Sequence, residues 1–395
     1  AMDISGARNA EIPDENALPH PLRLEVARVI GVMASAQSLR ARGLREVFPL
    51  TPESLIQQIE RSGGNLRQNR DYRQALEDID REGLYGGLLD MALAAEDFEY
   101  FLNTTDSPLP EITLRFETPH GVFIIDTTTA NNTHDLSADG EVAFLFDAGG
   151  DDTYRGDMPE NGPRLIVDQA GNDTYESGYA TGVMNYGVTW DMGGDDTYTG
   201  EKFEAASAVF GGAMLVDRGG HDTYDALAYS QSFALAGVAL LLDYAGNDTY
   251  RAATKAQACG GPLGSALLID LGGDDAYTLA DEPLIDPAPQ AREHNSSMGQ
   301  GCGYGHRSDL WEGLSVPGGA GLLLDAAGDD TYRASVFAQG AGFLSGYGAL
   351  ADSGGNDTYR AIYYAQGAGT HSSFGGLLDR AGDDSYYLEI QNAQG

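Results

Sequence analysis

Two aspartates recur at a fixed separation in this 395-residue chain. The phrase that holds them reads D-x-x-G-x-D-T-Y and starts at Asp147, Asp168, Asp191, Asp217, Asp243, Asp270, Asp325, Asp352 and Asp379. Its second acid is Asp152, Asp173, Asp196, Asp222, Asp248, Asp275, Asp330, Asp357 or Asp384. Asp151, Asp195, Asp274, Asp329 and Asp383 add a third carboxylate to five copies, where the others have Asn172, His221, Asn247 and Asn356. Carboxylates around a glycine turn that exposes backbone carbonyls are a donor set for a hard cation, calcium first. The same aspartates can cap the turn, each accepting N–H bonds from the residues that follow. Both chemistries fit the residue types.

The spacing says what must position these acids. Successive starts are 21, 23, 26, 26, 27, 55, 27 and 27 residues apart, and a degenerate copy from Asp126 to His134 lies 21 residues ahead of the first. Apolar runs such as Leu240-Leu241-Leu242 and Leu322-Leu323-Leu324 precede the phrase, and small-residue stretches such as Ala338-Gln339-Gly340-Ala341-Gly342 follow it. Each period therefore reads as strand, tight turn, strand, corner, strand. A unit of about 26 residues buries its apolar side only by stacking on its neighbours. The expected fold is mainly β: a parallel β-helix, or solenoid, of about ten coils over residues 111–395, right-handed by the crossover preference.

Stacked coils place equivalent residues about 4.8 Å apart, so each aspartate series becomes a column. Unit charges at that distance repel by roughly 3.5 kcal/mol per neighbouring pair at an effective dielectric of about 20, which a bound cation would offset. The tyrosines from Tyr154 to Tyr386 fall two residues after the second aspartate, hence on the same side of the strand. They are expected to stack in the core, with the intervening threonines outside.

At the turns the chain resembles the RTX nonapeptide repeat, whose core is G-x-D-x-hydrophobic. Gly171-Asn172-Asp173-Thr174-Tyr175 and Gly246-Asn247-Asp248-Thr249-Tyr250 carry the likeness. The resemblance implies calcium held between successive coils and an exported protein, extracellular or periplasmic. It covers the turns of residues 126–386 and not the whole coil, because the phrase comes once per period rather than every nine residues. The chain is also similar to an uncharacterised bacterial group with aspartate-glycine turns and Q-G-x-G strands.

Residues 1–110 are different material. They hold 11 basic and 18 acidic side chains, whereas the remainder holds 12 and 42. Val26, Val29, Ile30, Met33 and Ala36 recur at helical spacing, as do Leu84, Leu88, Met91, Ala95, Phe98 and Leu102. Thr51-Pro52-Glu53 reads as a helix start. This segment is expected to be an α-helical N-terminal cap. A formal charge of −37, with Lys202 and Lys255 the only lysines, argues against nucleic acid or an anionic membrane as partner. No apolar run reaches the ~18 residues of a membrane span.

The 55-residue interval is one coil with two insertions. Gln231, Gln257, Gln300, Gln339, Gln366 and Gln394 mark the small-residue strand, and only Gln300 falls between Asp270 and Asp325. Loops at about 280–295 and 305–318 therefore leave the same coil. The glutamines read as an amide ladder. Cys259 and Cys302 each follow a glutamine by two residues, which stacks them on adjacent coils within Cα reach of a disulfide.

Departures from a repeat are where a function is grafted. The inserted coil carries His294, His306, Arg307, Asp309 and Glu312 as candidate acid–base groups, and Arg292 and Trp311 as candidate ligand contacts. The expected function is a calcium-stabilised surface or matrix protein that binds or builds, with a glycan or cell-surface component as partner. The alternative is a polysaccharide-active enzyme, lyase or glycoside hydrolase, at the inserted coil; β-helix enzymes of that kind are similar in fold only. The last coil near Gln391–Gly395 lacks an evident cap, which leaves room for end-to-end or side-by-side self-association.

Overall fold

The computed structural model describes residues 18–45, 47, 50–62, 70–105, 108–138, 140–306 and 316–390. Four helices come first: α1 (His20–Gly43), α2 (Pro52–Ser62), α3 (Arg70–Asp78) and α4 (Arg81–Thr104). The apolar positions that the spacing picks out in α1 and α4 are buried, Leu102 only partly. At the start of α2 the Thr51 hydroxyl accepts the Ser54 N–H at 3.3 Å. At the start of α4 the Asp80 carboxylate accepts the Gly83 N–H at 3.2 Å.

From Gly121 on, the chain is a parallel β-helix. One face is a sheet of ten parallel strands, from Gly121–Asp126 to Phe374–Asp379, with Thr113–Thr118 as an antiparallel edge strand before them. A second face has ten strands and a third has seven; the inserted and later coils add a sheet of four, in which Pro287–Ala288 pairs antiparallel with Ala291–Gly299. Register is that of the repeat: Asp243 lies beside Asp270, Asp270 beside Asp325, and Asp325 beside Asp352. The 55-residue interval is thus one coil, as the single glutamine indicates.

The helices cap a side of the solenoid rather than its end. Outward residues of the first face in the early coils are large and apolar, and α4 lies across them. The Phe98 ring sits 5.5 Å from Phe144 and 5.0 Å from Phe146. The Trp190 indole N–H donates to Glu99 at 2.8 Å, and Arg218 joins the same carboxylate at 2.7 Å. Helices and sheet thereby share one core. Inward residues, Leu145, Ile166, Leu215, Leu241, Leu268, Leu323 and Leu350, pack against the tyrosine column.

The inner glycine of each turn is required by a close approach. A Cβ on Gly194 would lie 1.5 Å from the Gly171 carbonyl oxygen of the preceding coil, and one on Gly220 would lie 1.5 Å from the Gly194 oxygen. The contact recurs at Gly246, Gly273, Gly328, Gly355 and Gly382. No side chain can enter without pushing two coils apart. Gly194→Ala is therefore expected to cost about 3 kcal/mol in denaturant unfolding; a loss below about 1 kcal/mol would show that the coils yield at this point.

Candidate metal centre

Each turn brings three polar columns together, and each column has its own bonding rule. The strand-end aspartates turn inward. One oxygen of each from Asp147 to Asp352 accepts the N–H two residues further on, at 2.8–3.2 Å. The other oxygen accepts the phenol of the tyrosine one coil earlier, at 2.7–2.8 Å for Tyr175 to Asp191, Tyr198 to Asp217, Tyr224 to Asp243, Tyr250 to Asp270, Tyr277 to Asp325 and Tyr332 to Asp352. Tyr154 donates to Asp168 in the same way. In the degenerate first copy His134 occupies the tyrosine position and meets Asp147 at 2.7 Å. The tyrosine rings stack 4.6–4.9 Å apart and within 11° of parallel.

The second aspartates point back along the stack. One oxygen of each accepts the N–H of its equivalent one coil earlier, at 2.6–2.8 Å for Asp173, Asp196, Asp222, Asp248, Asp275, Asp330 and Asp357. The third, exposed column points forward. Asp151, Asn172, Asp195, His221, Asn247, Asp274 and Asp329 each accept the N–H of the next coil at 2.8–3.1 Å. Aspartate, asparagine and a neutral histidine nitrogen all serve as acceptor, which explains why these types interchange there. Turn capping thus accounts for the whole third column and for half of each buried carboxylate.

It leaves one atom over. Oδ2 of Asp152, Asp173, Asp196, Asp222, Asp248, Asp275, Asp330 and Asp357 is buried with no hydrogen-bond partner. Their carboxylates fall in groups where three ligand atoms lie within 4.8 Å of one another: Asp152 with Asp168 and Asp173, Asp173 with Asp191 and Asp196, Asp196 with Asp217 and Asp222, Asp222 with Asp243 and Asp248. His134, Asp147 and Asp152 form the group at the first coil, and four further groups occur. In the strand-end and second-aspartate columns, all but the last pair, Asp379 and Asp384, are at most 2% exposed. Among the described residues, His134 to Asp147 is the only ion-pair contact these two columns make. Facing carboxylates without a base are held together only by protons or by cations. The donors are all hard oxygens, except for the one imidazole, so the residues suit an alkaline-earth ion better than zinc or copper.

Burial raises acids in both columns, Asp168, Asp191 and Asp217 among the strand-end ones. It pushes Asp152 to about 6 and Asp248 and Asp357 to about 7, and neighbouring carboxylates add to the rise. Asp196, Asp222, Asp243, Asp275 and Asp325 are driven up more strongly by the same two causes.

The remaining expected site residues do not converge. Arg307, Asp309, Trp311 and Glu312 lie outside the described residues, as do Gln394 and the last five positions. His294 pairs through Nδ1 with Asp281 at 2.6 Å, and Asp281 also accepts the Ser335 hydroxyl at 2.8 Å. His306 instead lines a cavity of about 250 Å³ with Lys255, Asp286, Met298, Tyr304 and Phe343, and His294 is not part of that lining. Arg292 is exposed on the strand Ala291–Gly299. Among these residues Lys255 was missed by the sequence reading; it is buried, ion-paired with Asp286, and faces the Tyr229 ring. One of only two lysines, set two residues before a marker glutamine, was the available signal.

One open alternative is decided and one expectation is corrected. Cys259 and Cys302 do pair in register, yet both are free buried thiols. Parallel neighbours keep their Cβ atoms near the strand spacing of about 4.8 Å, longer than the ~3.5–4.5 Å that a disulfide needs. The glutamines are not chiefly a ladder. Gln231, Gln257, Gln339 and Gln366 donate across the coil to backbone carbonyls on two coils, such as Tyr224 and Arg251 for Gln231 at 2.9 and 2.7 Å. Gln300 also reaches another glutamine, Gln257, at 3.1 Å.

Compared with known proteins, the chain matches no family model, and no curated protein or solved structure resembles it at a significant level. No described helix is long and apolar enough to cross a membrane.

Raised acids favour their neutral form in the fold, so their contribution is complete below the ordinary carboxylate pKa and is lost as pH rises through about 6 to 7. In chelator the melting temperature is therefore expected to fall between about pH 5 and pH 8. Millimolar calcium, which needs the ionised form, should remove that fall. A metal-free melt that stays flat or rises over this range would contradict it.

Proposed function

We propose that this protein is a calcium-loaded β-solenoid that serves as a binding or structural element at a cell surface or in a matrix, outside the cytoplasm. The reading is carried by the orphan carboxylate oxygen in each interval, set beside two further carboxylates. Calcium between coils would neutralise the ladder and lock each coil to the next, giving a long rigid body whose stability follows the calcium of its surroundings. Millimolar extracellular calcium fills sites of modest affinity that a calcium-poor compartment leaves open. Exposed loops and side faces would then meet a glycan or another surface component.

A second reading, a polysaccharide-active enzyme at the inserted coil, is favoured by one observation. Asp281 orients His294 as an acid–base group needs to be oriented, with Nε2 left for a substrate. Cleavage of a neutral glycan that disappears in His294→Ala, with the melt unchanged, would establish it.

The primary test is metal analysis of purified protein with melts in calcium and in chelator. Several equivalents of calcium and a shift of more than about 10 °C are expected. Asp222→Asn separates cations from protons: the amide keeps an acceptor for the Asp196 N–H but cannot complete a cation site. It is expected to lower the melt by several degrees in calcium and to leave it equal or higher in chelator. No bound metal and equal melts in both buffers would sink the reading.

A further inference from the structure

The first face carries an apolar surface that none of the described residues covers. In the early coils its outward residues are covered by α4. From the strand Ser265–Asp270 onward they continue as Leu267 and Ile269, Leu322 and Leu324, Ala349 and Ala351, all partly exposed. Tyr347 and Phe374, 62% and 58% exposed, stand at one margin, and Leu378, 51% exposed, ends the row. None of the outward positions of these four strands is charged, in a chain of net charge −37. On the second face the same coils turn Thr331, Arg333, Thr358 and Arg360 outward. A sheet that met water on this side would alternate apolar-in with polar-out, as the second face does.

We infer that this face is a homodimer interface, in which the uncovered coils of two copies pack sheet against sheet about a twofold axis. The strands lie about 4.8 Å apart and rise about 3.3 Å per residue, so these four present roughly 400 Å² per copy, or about 800 Å² for two. That is the size of a weak, reversible contact, so the dimer is expected toward the upper end of the concentration range. The surface is flat and uncharged, so an identical copy matches it without pairing any ion, as an isologous contact requires. Height fits as well: a helix layer and an opposed sheet both stand about 10 Å above a strand layer. The partner's coils would therefore fill the step that α4 leaves, continuing the cover that the early coils already have. The strand-end aspartates face the other way, into the coil, so the contact does not depend on what neutralises the ladder.

The test is sedimentation of the full chain from about 1 to 100 µM in calcium-containing buffer. The mass is expected to rise from the 41.9 kDa of one chain to about twice that value. Leu267→Lys combined with Leu322→Lys should weaken association at least tenfold without lowering the melt, while Thr331→Lys on the second face should leave it intact. If the double variant melts early, Leu378→Lys, at a half-exposed site, is read in the same way. A wild-type monomer at 100 µM, or a dimer indifferent to the lysines on the first face, would overturn the inference. So would a monomer that floats with phosphatidylcholine vesicles, which would assign the face to lipid.

Discussion

Sixteen carboxylates buried in two columns with a single imidazole beside them are the constraint that the rest of this protein answers. A lone buried charge is far too costly to keep, and a stack of them repels at every step. Hydrogen bonds solve part of the problem. Each acid takes a backbone N–H, and the strand-end acids take a phenol as well, or at Asp147 the His134 imidazole. The tyrosine column is therefore more than core filling, because its hydroxyls reach one coil forward while its rings hold the spacing. What hydrogen bonds leave is one oxygen per coil, and that remainder is where a cation or a proton has to act.

The direction of each bond explains how the coils stay in register. The second aspartates reach back one coil, and the exposed third column reaches forward. Adjacent turns are thus tied in both senses across a few ångströms. A one-residue slip would turn every aspartate toward solvent and every threonine inward. The glycine carbonyls that pass over the next glycine's Cα allow the turns to nest this closely. On the far corner the marker glutamines hold a left-handed backbone, φ 47° to 55°, and bond carbonyls on two coils, so the strained corner is also a tie.

The helical segment shows how local pattern and tertiary placement part company. Apolar spacing in α1 and α4 marked the buried stripes correctly, because amphipathic periodicity depends only on neighbours along the chain. Where α4 would lie was not legible. Its site is set by Phe144, Phe146 and Trp190, outward residues whose direction is known only once the strands are paired. The same holds for the inserted coil. Counting glutamines resolved it into one coil with two loops, yet the separation of His294 from His306 depends on how those loops fold back.

The repeat by itself determined the solenoid, its coil count, its register and the columns of acid and tyrosine. A fixed period forces stacking, and stacking converts sequence position into spatial position. Only the tertiary structure decided which oxygen of each aspartate is satisfied, that the cysteines stay apart, that the glutamines bond chiefly to backbone carbonyls, and that no described residue covers one face of the late coils. These depend on bond directions and Cβ separations of a few ångströms, and on which face a distant helix happens to cover. Residue spacing along the chain carries none of that information.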